Sequence, residues 1–266
     1  MSTEFEQSLA RTIACLEGAE FAQAAEAARR CVALEPANAE GHFYLAEALA
    51  GAEQFTEAIA AYEAGLKLAP EDGDALTALG DIYFEHGNHK DALRVYKRIV
   101  DLHPKDADGY VNMGLVYNSM ERAEEAIKAY TTALELDPNN VFAYNALGDA
   151  WYGLNEREKA VDAYKKGIEI DPGDAAAHFN LGELYYDLDE HQNAEKECLE
   201  AIRLDPEFTL AYLTLGSLYM DREHVADAVK YLQLYLKYET SPQAREMIDE
   251  VKAVIEGLKA ELAGEA

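Results

Sequence analysis

Basic residues are scarce in this chain. Of 266 positions, 23 are Lys or Arg against 51 Asp or Glu, for a formal net charge of −28. Nucleic-acid binding draws on Lys and Arg at phosphates, and anionic membrane surfaces attract the same side chains, so neither is an expected partner. Three cysteines are too few for a secreted disulfide framework. Cys15, Cys31 and Cys198 fall where a core would take a small apolar residue; a Cys15–Cys31 redox pair is the alternative reading. No apolar run approaches the roughly 20 residues needed to span a bilayer. The opening stretch MSTEFEQSLARTIACLEG has no basic region followed by an apolar one, so no signal peptide is expected and the cytoplasm is the expected compartment. Catalytic signatures are missing too: there is no glycine-rich phosphate loop, no nucleophile elbow and no His-Glu-x-x-His pair. His86, His89 and His103 lie near one another in sequence, but the first two straddle an inter-helix turn with no acidic or cysteine ligand at suitable spacing. Solvated histidines are expected there, with no metal and no cofactor, and no enzyme activity is expected.

Proline is also sparse, and its placement is informative. Six of the seven stand at Pro36, Pro70, Pro104, Pro138, Pro172 and Pro206, each 34 residues after the last. A fixed period of this length signals a repeat architecture. In the unit 141–174, Tyr144, Leu147, Gly148 and Trp151 share one helical face, and Ala160, Tyr164, Gly167 and Ile168 share another. The short break Asn155-Glu156-Arg157 forces an antiparallel pair, and Pro172 ends the second helix. Neither helix can bury its face alone, so successive units must stack.

The motif recurs as Leu76, Leu79-Gly80, Tyr83, Ala92, Tyr96, Pro104; as Tyr110, Met113-Gly114, Tyr117, Ala126, Tyr130, Pro138; and as His178, Leu181-Gly182, Tyr185, Ala194, Cys198, Pro206. Over about nine-tenths of the chain, this pattern resembles the tetratricopeptide repeat (TPR) family. The resemblance implies an all-α fold, a right-handed superhelical solenoid forming a single domain over 1–266. Its repeats are placed at 5–38, 39–72, 73–106, 107–140, 141–174, 175–208 and 209–242. The first is degenerate, with Arg11-Thr12 in place of Leu-Gly. A capping helix over 243–263 carries the stripe Ala244, Met247, Ile248, Val251, Ile255, Leu258 and Leu262; the alternative is an independent partner-binding helix. Trp151 is expected in the packing between helices, at the place of Tyr83, Tyr117, Tyr185 and Tyr219.

Charge is partitioned between the two helices of each unit. The first-helix segments of repeats two to six, 70 residues in all, contain no Lys or Arg, where about six would be expected at the chain-wide frequency. The other 100 residues of those repeats hold 14. The basic-free segments carry Glu40, Glu47, Asp74, Asp81, Glu85, Asp108, Asp149, Glu183 and Asp187. Members of the family line a concave groove with the first helix of each pair. The resemblance therefore implies an acidic groove, with Glu47, Asp81, Asp149 and Glu183 in a row that Leu115 interrupts. Phe43, Tyr44, Phe84, Phe142, Tyr152, Phe179 and Tyr186 are interleaved with the amides of Asn112, Asn145 and Asn180. A concave surface of one sign concentrates ligands of the other. The expected partner-binding set is Glu40, Phe43, Glu47, Asp74, Asp81, Phe84, Asp108, Asn112, Asn145, Asp149, Tyr152, Phe179, Asn180, Glu183 and Tyr186.

The expected function is a non-enzymatic adaptor that holds an extended, Lys/Arg-rich segment of a partner protein. The bland alternative makes the acids a solvated face. The rivals are an accessory or chaperone subunit of a larger complex and a weakly self-associating scaffold. In the scaffold, the Lys90–Arg94–Arg98 face beside Lys97 would dock into another copy's groove.

Overall fold

A computed structural model describes residues 3–264, which are helical almost throughout with no strand among them. The chain divides into two compact units, Met1–Asp137 and Pro138–Ala266. The first holds α1 (Thr3–Glu17), α2 (Phe21–Leu34), α3 (Ala39–Gly51), α4 (Phe55–Leu68), α5 (Gly73–Glu85), α6 (His89–Leu102), α7 (Ala107–Ser119) and α8 (Ala123–Leu136). The second holds α9 (Val141–Gly153), α10 (Arg157–Ile170), α11 (Ala175–Asp187), α12 (His191–Leu204), α13 (Thr209–Asp221) and α14 (Val225–Tyr238). A 3-10 turn, Pro242–Ala244, then leads to α15 (Arg245–Gly264). Within each unit the helices associate as antiparallel pairs, and the second helix of one pair packs on the first of the next, as α2 does on α3 and α10 on α11.

One device closes every pair. Ala19, Glu53, Gly87, Glu121, Asn155, Asp189 and Glu223, again 34 apart, have φ between 54° and 72°. This is the left-handed conformation that ends a helix, and the next N–H then reaches back to a carbonyl five residues earlier. Gln54 donates to Leu49 at 2.8 Å and Glu156 to Trp151 at 2.9 Å. Six of the seven positions carry a side chain in a conformation that favours glycine. The opposite ends are capped by polar side chains. Asn38, Asp72, Asp106, Asn140 and Asp174 each accept a backbone N–H from the first turn of α3, α5, α7, α9 and α11. Such a cap contributes about 1 kcal/mol. At α13 the capping position is Phe208, which makes no such bond.

The Leu-Gly pair of the motif has a steric reason. A Cβ on Gly148 would stand 2.5 Å from Cε1 of Tyr164, so glycine lets the second helix lay its tyrosine this close across the first, whereas repeat two carries buried Ala46 and Tyr62 at the same places. Tyr96 over Gly80 and Tyr130 over Gly114 repeat the arrangement, and smaller Cys198 covers Gly182. In degenerate α1, Thr12 at the glycine position is fully buried and donates its hydroxyl to the Ser8 carbonyl at 2.9 Å. Cys15, Cys31 and Cys198 are all buried and unbridged. Burial pushes the Cys198 thiol up to about 12, with Glu183 and Glu197 adding to it.

Two packing expectations are met only in part. Trp151 packs against the core as expected but is only half-buried, with the Lys159 ammonium 4.2 Å from its ring centroid. The indole is larger than the phenol ring of Tyr83, Tyr117, Tyr185 or Tyr219, all buried, and it extends to the surface. On α15 the stripe is covered only in part. Val251 and Ile255 are buried and Ile248 and Leu258 pack beside them, whereas Met247 and Leu262 are exposed. One neighbour, α14, covers one side of a helix and leaves the stripe's edges open.

Candidate functional site

In the first unit, the first-helix face opens into a cavity of about 490 Å³. Its walls are Glu40, Phe43, Tyr44 and Glu47 from α3, Tyr62 from α4, and Asp72, Asp74, Ala75 and Ala78 around the start of α5. Heptad spacing places Glu40 and Glu47 on one side of α3, two turns apart. Four carboxylates and three aromatic rings thus line it, and no Lys or Arg does. Asp72 is committed to the α5 cap through the Ala75 N–H at 2.9 Å; Glu40, Glu47 and Asp74 are exposed. The phenols register the field around them. Tyr62 is pushed up to about 12 by burial and then by the charges of Glu47 and Asp81. Tyr44 is raised by burial, then by Glu40 and Glu47.

Asp81, next along the face, is exposed but engaged: the Tyr96 hydroxyl donates to its carboxylate at 2.5 Å. Phe84 is half-buried with its ring 5.7 Å from that of His89. Asp108 is exposed in the first turn of α7, and Asn112 is half-buried one turn further on.

The second unit repeats the register with different chemistry. A cavity of about 210 Å³ is lined by Asp149, Tyr152, Tyr164, Asn180, Glu183 and Leu184. Tyr164 donates to Asp149 at 2.6 Å, just as Tyr96 does to Asp81. Asp149 and Glu183 keep exposed edges, yet the concave wall crowds their carboxyls. For Asp149 this desolvation raises the carboxyl, and the Tyr164 hydrogen bond offsets only part of that. Glu183 has Cys198, not tyrosine, at the matching place, and its carboxyl is raised by desolvation and then by Asp187 and Asp149. Tyr152 donates to Asp187, and Tyr186 donates to Asp221 at 2.5 Å, each bond joining one repeat to the next. Asn145 donates to Asp174 at 2.8 Å, which ties it to the α11 cap. Phe142 stands out into solvent at 56% exposure.

Phe179 is a correction. It is buried, with its ring 5.0 Å from Phe208, so it belongs to the core and not to the open face. Phe208 replaces the polar cap found in earlier repeats, and this apolar exchange draws the Phe179 ring inward. Sequence reasoning also missed the tyrosines beneath the face, Tyr62, Tyr96 and Tyr164, and the acids Asp72 and Asp221. A signal was present: Leu-Gly-Asp at 79–81 and at 147–149, each with a tyrosine 15 residues beyond the aspartate.

His86 pairs its Nδ1 with the Ile82 carbonyl at 2.9 Å, and its ring lies 3.9 Å from that of Phe55. Among the described residues, no group of three potential ligands is placed to hold a metal, and no helix is long and apolar enough to cross a membrane.

Comparison with known proteins agrees with the repeat geometry. Tetratricopeptide repeat models match residues 14–59, 48–107, 107–140 and 175–208, and a TPR repeat model matches 150–189. The chain belongs to the tetratricopeptide repeat family. A comparison with the curated proteins finds no match. Among solved structures, this TPR chain is similar to MamA at 28% identity, over 60% of this chain and 94% of that one, with a TM-score of 0.56. YrrB, described as a TPR protein with an unusual peptide-binding site, is 23% identical, over 70% of this chain and 96% of that one, with a TM-score of 0.55. A tetratricopeptide repeat protein from Parabacteroides merdae is 16% identical, over 96% of this chain and all of that one, with a TM-score of 0.74. The last two likenesses concern the fold alone.

Proposed function

We propose that this TPR protein is a non-enzymatic adaptor whose first-helix face holds an extended, Lys/Arg-rich segment of a partner protein. The observation that carries the reading is the first-unit cavity, where Glu40, Glu47, Asp72 and Asp74 surround Phe43, Tyr44 and Tyr62 with no basic residue in the wall. A cationic side chain entering there meets carboxylates for its charge and ring faces for its stem. Cation–π contact contributes about 0.5–2 kcal/mol where water is displaced. A polar partner for the backbone of an extended segment is at hand in Asn112, in the same unit. Open carboxylates beside aromatic rings suit recognition of a cation rather than bond-making chemistry.

The test is titration of a fluorescein-labelled Lys/Arg-rich peptide into wild type and into the triple variant Glu40→Gln, Glu47→Gln, Asp74→Asn. These three acids are exposed, so the fold is expected to survive. Exposed charge pairs contribute about 0.2–1 kcal/mol each, which predicts roughly 3- to 150-fold weaker binding in the variant. Wild-type affinity should fall with added salt, chiefly through slower association. Equal affinity of the two proteins would refute the reading and leave the acids as a solvated face.

A further inference from the structure

One cavity on the second-helix side of the first unit runs against the charge of the whole chain. A cavity of about 230 Å³ lies where α4, α5 and α6 meet, lined by Glu63, Leu66, Lys67, Leu76, Leu79, Arg94, Val95 and Arg98. Its floor is aliphatic: Leu66, Leu76, Leu79 and Val95 are all buried. Lys67, Arg94 and Arg98 are exposed around it. The 34-residue register of the sequence gives each of these three positions its counterparts. The corresponding trios are Ala33, Ala60 and Ala64; Asp101, Lys128 and Thr132; Glu135, Asp162 and Lys166; Glu169, Lys196 and Glu200; and Arg203, Lys230 and Leu234. Only the trio of Lys67, Arg94 and Arg98 is wholly basic.

Facing acids, Glu63 and Asp91, offset the three basic residues only in part. Asp91 pairs with Arg94 at 3.0 Å, yet the guanidinium side chain stays 64% exposed. Glu63 accepts the Tyr83 hydroxyl at 3.1 Å. Arg98 has a structural bond as well, donating to the Pro70 carbonyl at the α4–α5 turn. That leaves Lys67 and Arg94 at the rim, over a floor that suits an aliphatic side chain.

We propose that this α4–α6 cavity is a second docking site, for a short partner segment that presents carboxylates next to a leucine-like side chain. Charge complementarity selects that occupant. Long nucleic acid is disfavoured because the chain as a whole, at net charge −28, repels a polyanion longer than the screening length of about 10 Å at 0.1 M salt. A short acidic segment meets only the local cations. The site lies on the second-helix side, away from the acidic first-helix face, and does not depend on that face binding anything.

The experiment measures anisotropy of a short fluorescein-labelled peptide of alternating Glu and Leu, at about 0.1 M salt, where screening confines the field to the cavity's surroundings. The variant is Lys67→Ala with Arg94→Ala; Arg98 stays because it secures a turn. Lys165→Ala with Lys166→Ala on α10 makes the same charge change elsewhere. Saturable binding is expected, weakened at least about fivefold in the first variant and less than about twofold in the second, with unchanged melting of the first variant. Lys67→Gln alone should give an intermediate loss. Absent binding by wild type, or equal losses in both double variants, overturns the proposal. Tighter binding of a matching phosphoserine–leucine peptide also overturns it, by reassigning the cavity to phosphate.

Discussion

Replacing Gly148 by alanine tests the steric logic on which the repeats are built. On an open helix the change is favourable, because alanine exceeds glycine in helix propensity by about 0.8–1.0 kcal/mol. Here the new methyl would lie 2.5, 2.7 and 2.8 Å from Cε1, Cδ1 and Cζ of Tyr164, well inside contact distance. Tyr164 cannot retreat freely. It is 4% exposed, and its hydroxyl is held by Asp149 at 2.6 Å. Overpacking of this kind costs about 1–3 kcal/mol. A shift of the ring that breaks the bond to the carboxylate adds about 1.5–3 kcal/mol. After subtracting the propensity gain, Gly148→Ala should destabilise by roughly 1–5 kcal/mol. Gly257 on α15 is the matched control: a Cβ there meets nothing within 4 Å, so Gly257→Ala should stabilise by up to about 1 kcal/mol. Urea denaturation followed by circular dichroism and by fluorescence of Trp151, the single tryptophan and a neighbour of Gly148 on α9, reads both. Because coupling in repeat arrays runs between neighbours, the loss should appear first in the tryptophan signal. A cycle with Tyr164→Ala completes the test, since Gly148→Ala should cost little once the ring is gone. If Gly148→Ala is as stable as Gly257→Ala, the close approach of Tyr164 does not explain the glycine.

Two further outcomes are expected from the same geometry. Desolvation raises the carboxyls of Asp149 and Glu183 above their ordinary values of 3.8 and 4.5, so the folded chain holds protons there that the unfolded chain has released. Their contribution is therefore most favourable at acid pH and declines as pH rises through the folded values; the double variant Asp149→Asn, Glu183→Gln should show a smaller decline over that window by urea denaturation, and an unchanged profile would rule out this linkage. At Glu53, φ is 60°, so Glu53→Gly should be neutral to stabilising by about 1 kcal/mol, against the usual cost of an added glycine; a lower melting temperature would show that the Glu53 side chain contributes more than its backbone conformation costs.

The fold was legible because it is encoded locally and repeatedly. Pro172 ends a helix wherever the chain goes, Asn140 caps one through its own next turn, and a Leu-Gly pair like Leu147-Gly148 stands at the same register in four of the seven repeats. None of these depends on a distant partner, so helix pairs and their stacking could be read from spacing. The residue types of the acidic face were legible for the same reason, since a first helix without Lys or Arg is visible in one dimension. Which of those acids stand free was not. Glu47 and Asp81 hold equivalent places, yet Asp81 accepts the Tyr96 hydroxyl while Glu47 lines an open cavity. Phe43 and Phe179 hold equivalent places too, yet only Phe179 is drawn into the core, by Phe208. Helical period determines which face a side chain occupies; whether it is then buried, bonded or left to a ligand depends on the size and polarity of the neighbour across the next helix, and only the packed structure supplies that neighbour.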